Sequence, residues 1–202
     1  MSSEPLILAF DTSAPHVAAA LLSGDKIISE RIEPMQKGQA ERLFSLLEEL
    51  LTEAKIMWSD LSAIGVGVGP GNFTGIRISV SAARGLSLSL GIPAVGVSSF
   101  EAQAIDLARP VTSIIDARRE MVYIQELSES AESLPELINM DELLIRTKGL
   151  STVGPMQSVS VVAIARIAKQ RYTECNLARP TPLYVRAPDA APPRDPAPVI
   201  LP

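Results

Sequence analysis

Two stretches of this 202-residue chain carry residue types at spacings that could do chemistry, and neither is complete. The first is Asp11-Thr12-Ser13, a carboxylate and two hydroxyls directly after the apolar run Leu6-Ile7-Leu8-Ala9-Phe10. Asp11 could hold magnesium through water while the hydroxyls of Thr12 and Ser13 meet a phosphate. The same three residues could equally close a hairpin turn. The second stretch is Gly65-Val66-Gly67-Val68-Gly69-Pro70-Gly71-Asn72-Phe73-Thr74-Gly75-Ile76-Arg77, a strand that runs into a glycine-rich turn opening a helix. Backbone amides at such a helix start can face an anion, and Gly69 and Gly71 would let it come close. Thr74 could cap the helix or touch the phosphate. A P-loop lysine is missing, and the dinucleotide fingerprint does not fit the spacing. Asp11, Thr12, Ser13, Gly69, Gly71 and Thr74 are therefore the candidate nucleotide or phosphate contacts, with a tight packed turn as the alternative.

Other chemistries lack their parts. His16 is the sole histidine and Cys175 the sole cysteine, so no intrachain disulfide or thiolate zinc site is available. A Ser-His-Asp unit would have to recruit His16 without a positioned nucleophile motif. His16 reads instead as a satisfied or exposed strand residue. Asp116 and Arg118 look like hairpin residues that could pair with each other, and Val153-Gly154-Pro155 is a faint second phosphate loop. The net charge of −5 and a pI near 5.0 argue against an unaided grip on nucleic acid, which normally takes a basic face. Met1 to Pro5 lacks signal-peptide features, and no apolar run approaches the roughly 18 residues of a membrane span. The expectation is a soluble cytoplasmic protein.

These residues must be positioned by an α/β framework. Leu6 to Phe10 predicts a strand buried on both faces, His16 to Leu22 a second strand, and Ile27 to Glu33 a half-exposed third, joined as an antiparallel meander. Gly38 to Lys55 predicts an amphipathic helix whose buried stripe is Ala40, Leu43, Phe44, Leu47, Leu50, Leu51 and Ala54, with Leu46 off the stripe. Ala63 to Val68 (strand), Phe73 to Leu90 (helix) and Ala94 to Val97 (strand) follow. Arg77 and Arg84 are the only charges on the second helix, which is otherwise apolar or small nearly all round. Such a helix is buried on more than one side, either within its domain or against a partner chain.

From Ser98 the order looks like a reduced second attempt at the same lobe. It comprises a helix to Ala108, strands at Val111 to Ile115 and Met121 to Leu127, a helix at Met140 to Arg146, a strand at Leu150 to Val153 and a helix at Ser158 to Lys169. Leu183-Tyr184-Val185 could pair as an edge strand. Eight of the sixteen prolines fall in Arg179 to Pro202, which predicts an extended tail beyond Pro188. The division is 1–97 for a ribonuclease-H-like lobe, 98–187 for a reduced second lobe and 188–202 for the tail.

Four of these motifs together resemble the TsaB family. Ile7-Leu8-Ala9-Phe10-Asp11-Thr12-Ser13 is similar to its opening strand and turn, and Gly69-Pro70-Gly71-Asn72-Phe73-Thr74-Gly75-Ile76-Arg77-Ile78, continued by Ala83-Arg84-Gly85-Leu86, to its most specific motif. Ile115-Asp116-Ala117-Arg118-Arg119-Glu120-Met121-Val122-Tyr123 resembles its second-lobe hairpin, and Pro182-Leu183-Tyr184-Val185-Arg186 its closing strand. The matches run in order over most of residues 6 to 186.

The resemblance implies a two-lobed actin-like (ASKHA) fold with a reduced C-terminal lobe, in a non-catalytic paralogue of TsaD. It also implies a role as dimerisation partner of a TsaD-like catalytic subunit, working with a TsaE-like ATPase to install N6-threonylcarbamoyladenosine at position 37 of tRNAs reading ANN codons. The partner surface would lie on the two N-lobe helices, with Leu43, Leu46, Leu47, Leu50, Arg77, Val80, Ala83, Arg84 and Leu86 as candidate contacts. A bulky charge at Ala83 or Leu47 would then weaken assembly. ATP or ADP with magnesium is expected only in the complex, tRNA contact is indirect, and a homodimer through the same helices is an open alternative. The TsaD-type metal site takes two histidines four apart from the first helix. Here Gln36-Lys37-Gly38-Gln39-Ala40-Glu41-Arg42-Leu43 has none, Gln39 standing where many relatives keep one, so no metal is expected. The rival readings are a stand-alone ASKHA ATPase or small-molecule kinase using Asp11, and, more weakly, an M22-type glycoprotease, for which the metal ligands are lacking.

Overall fold

The computed structural model describes residues 4–129, 132–156 and 159–185. Three strands open the chain: β1 (Leu6–Asp11), β2 (His16–Ser23) and β3 (Lys26–Pro34). They form the expected antiparallel meander, with Phe10 opposite Ala19 and Val17 opposite Glu33. Helix α1 (Gln39–Ala54) follows, then β4 (Ala63–Gly67), α2 (Phe73–Leu90) and β5 (Ala94–Val97). Strand β4 lies parallel to β1 and β5 parallel to β4, giving a five-stranded sheet in the order β3-β2-β1-β4-β5.

The alternation of side chains along β1 explains how this sheet is covered. Leu8 and Phe10 point to one face, into a core with Leu43, Leu46, Leu47 and Leu50 of α1 and Ile76, Val80 and Ala83 of α2. Ile7 and Ala9 point to the other face, where they meet Ile164, Ala165 and Ala168 of a helix from far down the chain, α5 (Val161–Arg171). A strand with apolar residues on both sides must be central and doubly covered.

The second half supplies α3 (Ser99–Gln103), β6 (Val111–Asp116), β7 (Met121–Leu127), β8 (Glu136–Asn139), α4 (Met140–Arg146) and β9 (Thr152–Met156). Its sheet runs β8-β7-β6-β9, with β6 antiparallel to β7 and parallel to β9. That repeats the β3-β2-β1-β4 order of the first sheet, with no fifth strand among the described residues. The fold is thus the two-lobed actin-like (ASKHA) arrangement with a reduced second lobe. Phe100 and Ala104 pack on one face of this sheet and Leu143 on the other.

Several elements differ from expectation. The third helix ends at Gln103, not Ala108: the Ala104 amide donates to Glu101 O three residues back, at 3.1 Å, in place of a helical bond, and the Gln103 side-chain amide donates to Ser113 Oγ and Ile114 O of β6, at 2.5 and 3.0 Å. Strand β8 was not anticipated. Residues 183–185 form no strand, though Leu183 N donates to Val68 O at 2.8 Å. The cut at residue 97 separates the two sheets, yet α5, from beyond it, covers the first sheet. The expected tail at 188–202 lies outside the described residues. Among the described residues no helix is long and apolar enough to cross a membrane.

Candidate functional site

Asp11 ends β1 in the interior, with 1% of its surface exposed. A carboxylate buried there needs donors, and the turn after it supplies them. Oδ1 of Asp11 accepts from Ser13 N at 3.0 Å, from Ser13 Oγ at 2.9 Å and from His16 Nε2 at 3.0 Å. His16 is therefore a buried, satisfied strand residue, held by a carboxylate five positions earlier. The trio is no hydrolytic relay: the serine hydroxyl donates to the aspartate, and the histidine does not stand beside it as a base.

The glycine loop is the seat of this turn. Thr12 Oγ1 donates to Gly75 O at 2.6 Å, and Asn72 N donates to Ser13 O at 2.6 Å. A methyl group on Gly75 would collide with the Thr12 carbonyl, and one on Gly71 with the Ser13 backbone. These glycines permit the close approach of one loop to another. From the other side Ser99 N donates to Gly69 O at 2.8 Å and Ser99 Oγ to Pro70 O at 3.2 Å. The Thr12 and Ser13 hydroxyls, expected to meet a phosphate, are thus directed at protein acceptors. Thr74 does not cap α2. The cap is Asn72, whose side-chain oxygen accepts from Gly75 N at 2.9 Å, while Thr74 is exposed. An asparagine directly before a helical run was the available signal.

Across from this knot, the β6–β7 hairpin carries Asp116, Ala117 and Arg118. Asp116 Oδ1 accepts from the Arg118 backbone amide at 2.8 Å, so the anticipated pairing runs through the main chain. The next turn is left-handed at three successive non-glycine residues, Arg118 (φ 64°), Arg119 (φ 53°) and Glu120 (φ 60°). Between the two hairpins lies a cavity of about 560 Å³, lined by Ser13, His16 and Asn72 on one side and by Asp116, Arg118 and Tyr123 on the other. Gly69 and Thr74 do not line it. Among the described residues no group of three or more histidine, cysteine or acidic side chains could hold a metal ion.

The residues expected at a partner surface are divided. Leu43, Leu46, Leu47, Leu50, Val80 and Ala83 are fully buried in the chain's own core, so a partner cannot reach them. Arg77 and Arg84 are exposed and Leu86 is half-buried. Leu46 and Phe44 exchange their expected places: Leu46 is 0% exposed and Phe44 47%. On α2 the outward residues are Thr74, Arg77, Ser81, Arg84, Gly85, Leu88 and Ser89, with Leu88 at 87% exposure. Arg77 is fixed over the Phe73 ring, 3.8 Å from its centroid, and donates to Tyr184 Oη at 2.8 Å.

The family profile described as TsaD, tRNA N6-adenosine threonylcarbamoyltransferase, matches residues 26–191. An uncharacterized protein of Mycobacterium tuberculosis is 29% identical over 198 residues, 92% of this chain and 94% of that protein. The tRNA threonylcarbamoyladenosine biosynthesis protein TsaB of Bacillus subtilis is 40% identical over 120 residues, which are 58% of this chain and about half (52%) of that protein. The solved structure of YeaZ from Pseudomonas aeruginosa shares the fold, with a TM-score of 0.71, 22% identity and coverage of 89% of this chain and 99% of that one. With most of its length inside the matched profile, the chain belongs to the TsaD family and is similar, within it, to the TsaB proteins.

Proposed function

We propose that this chain is a partner subunit in the biosynthesis of N6-threonylcarbamoyladenosine at position 37 of tRNAs reading ANN codons, binding a TsaD-like catalytic subunit through the outer face of α2 and the adjoining edge of α1. The observation that carries the reading is the solvent face of α2. Gly85 sits in mid-helix, exposed, with nothing within 4 Å of where a side chain would begin. A glycine there costs the helix about 1 kcal/mol relative to alanine, and the fold of the chain gains nothing from it. Leu88 stands beside it almost wholly exposed, and no acidic residue lies on the helix. A second helix packing closely over Gly85 and Leu88 accounts for both. The buried Asp11 knot, with its hydroxyls engaged internally, agrees with a supporting rather than a catalytic role. In this reading a TsaE-like ATPase joins the complex in the cytoplasm, ATP or ADP with magnesium enters only there, and tRNA is met indirectly. A homodimer through the same face is the form in isolation.

Mixing the purified chain with a TsaD-like protein and following the mass of the complex by light scattering tests this. The expected result is a defined complex that Gly85→Glu and Leu88→Glu each weaken about tenfold or more. Both substitutions sit on exposed helix: Leu88→Glu leaves thermal unfolding unchanged, and Gly85→Glu raises the midpoint slightly because a glycine leaves the helix. Failure to form any complex, or unaltered affinity of both variants, overturns the assignment.

A further inference from the structure

The outward side of α2 carries two arginines, and the structure gives them different work. Arg77 is committed within the chain. Its guanidinium lies over the Phe73 ring, Nε donates to Tyr184 Oη at 2.8 Å, and the Tyr184 and Phe73 rings stack with centroids 4.6 Å apart. Arg77 therefore fastens the chain at Tyr184 to the first turns of the helix. Arg84, seven residues on, is exposed and makes no hydrogen bond or ion pair among the described residues.

Ser81, Arg84, Gly85 and Leu88 stand three and four residues apart, which sets them on one stripe of α2. All four are exposed, and Gly85 is where another backbone can come closest. A helix seated over Gly85 also covers its neighbours on the stripe, Arg84 one residue before and Leu88 three after. Arg84 is then taken out of water at the centre of the contact and not at its rim. A guanidinium buried without a counter-charge opposes association. That counter-charge cannot come from α2, which has no acidic residue. Nor do Glu49 and Glu53 of α1 offer it, because they are paired with Arg42 and Arg31. A second copy packed α2 on α2 about a two-fold axis at Gly85 brings one Arg84 beside the other, where like charges repel.

Resting on the partner reading above, we infer that Arg84 selects the partner: it takes an unlike chain whose docking helix sets a carboxylate opposite it. A guanidinium and a carboxylate meet through two parallel hydrogen bonds, so the pair fixes the register of the two helices as well as balancing charge. Surfaces without that carboxylate are turned away by the cost of burying Arg84 alone. Of the two arginines, Arg77 holds its own chain in place and Arg84 reads the other one.

Calorimetry of the full chain with a TsaD-like protein, at low and high salt, tests this. Arg84→Gln is expected to lower the affinity about 30-fold or more, as for a desolvated charge pair broken on one side, and to flatten its salt dependence. Arg84→Lys keeps the charge without the fork and falls between. Arg84→Glu abolishes the complex, and an acid-to-lysine change at one carboxylate of the partner's docking helix restores it. Sedimentation of the chain alone shows self-association that Arg84→Gln leaves equal or stronger. Arg84 is exposed, so its variants fold as the parent does. If Arg84→Gln binds as tightly as the parent while Gly85→Glu and Leu88→Glu still weaken the complex, selection by Arg84 is overturned and the partner reading stands. No complex with the parent chain removes both. Glu41 and Glu48 are the exposed α1 carboxylates without an ion pair among the described residues. Self-association weakened by Arg84→Gln and equally by Glu41→Gln or Glu48→Gln overturns the inference too, since the carboxylate then belongs to a second copy of this chain.

Discussion

The turns that join β1 to β2 and β6 to β7 occupy the same place in two sheets of the same strand order, and each starts from an aspartate at a strand end. Asp11 is sealed, accepts three hydrogen bonds on one oxygen, and rests on glycines that allow no side chain. Asp116 is exposed, accepts one backbone amide, and leads into a strained left-handed turn. The same local opening has become a structural knot in one lobe and a solvent-facing projection in the other. What separates them is the neighbour. The first turn faces a glycine loop that can approach to backbone distance, whereas the second faces a cavity.

Substitutions on either side can break or sharpen that contrast. The largest effect is expected from Gly75→Ala, which sets a methyl group against the Thr12 carbonyl and separates the turn from the loop. Urea unfolding should show a loss of about 3 kcal/mol or more. Asp11→Ala strands three donors in the interior and should cost about 3 kcal/mol, whereas Asp116→Ala should cost under about 1 kcal/mol. Equal losses for the two aspartates would mean that the lobes are not built differently. Glu120→Gly should move the other way, raising stability by about 1 kcal/mol through relief of the left-handed turn.

The smallest effect lies outside both turns. The Arg42 guanidinium, hydrogen-bonded to Glu33 and Glu49, holds both carboxyls below the usual carboxylate range. A depressed carboxylate pKa adds stability above its unfolded value, and that stability is lost as pH falls through the folded one. These groups are largely exposed, so the contribution is small. Arg42→Gln should lower the urea midpoint slightly at pH 7, and the difference should fade as pH falls through the two carboxyls' lowered folded values.

Much of the first lobe could be read from the chain because its signals are local. Gly91 ends α2 in a left-handed conformation (φ 67°), and α2 and β5 fall where periodicity put them. The face of α1 was harder. Leu46 and Phe44 both border the leucine stripe, and side-chain pattern cannot say on which side the sheet or a neighbouring helix adds cover. The His16–Asp11 bond was hidden because it crosses a turn whose path depends on the glycine loop some sixty residues on. Nor does any residue of α5 announce which sheet it covers, since apolar periodicity gives a buried face and not its destination. Of the candidate phosphate contacts, Asp11, Thr12, Ser13 and Gly71 are drawn together by the knot, and Thr74 is not. The outward face of α2 showed in the sequence as a shortage of charge; which residues stand in solvent needed the coordinates.

The placement of α5 bears on how the protein is made. The inner face of the first sheet, with Ile7, Ala9 and Ala20, is covered by Ile164, Ala165 and Ala168. During synthesis the sheet can pair its strands once β5 has emerged, but one apolar face stays bare until Arg171 has left the ribosome. The second lobe is therefore translated inside an unfinished first one. A nascent chain arrested between residues 98 and 160 should be a ready client for chaperones that hold exposed apolar surface.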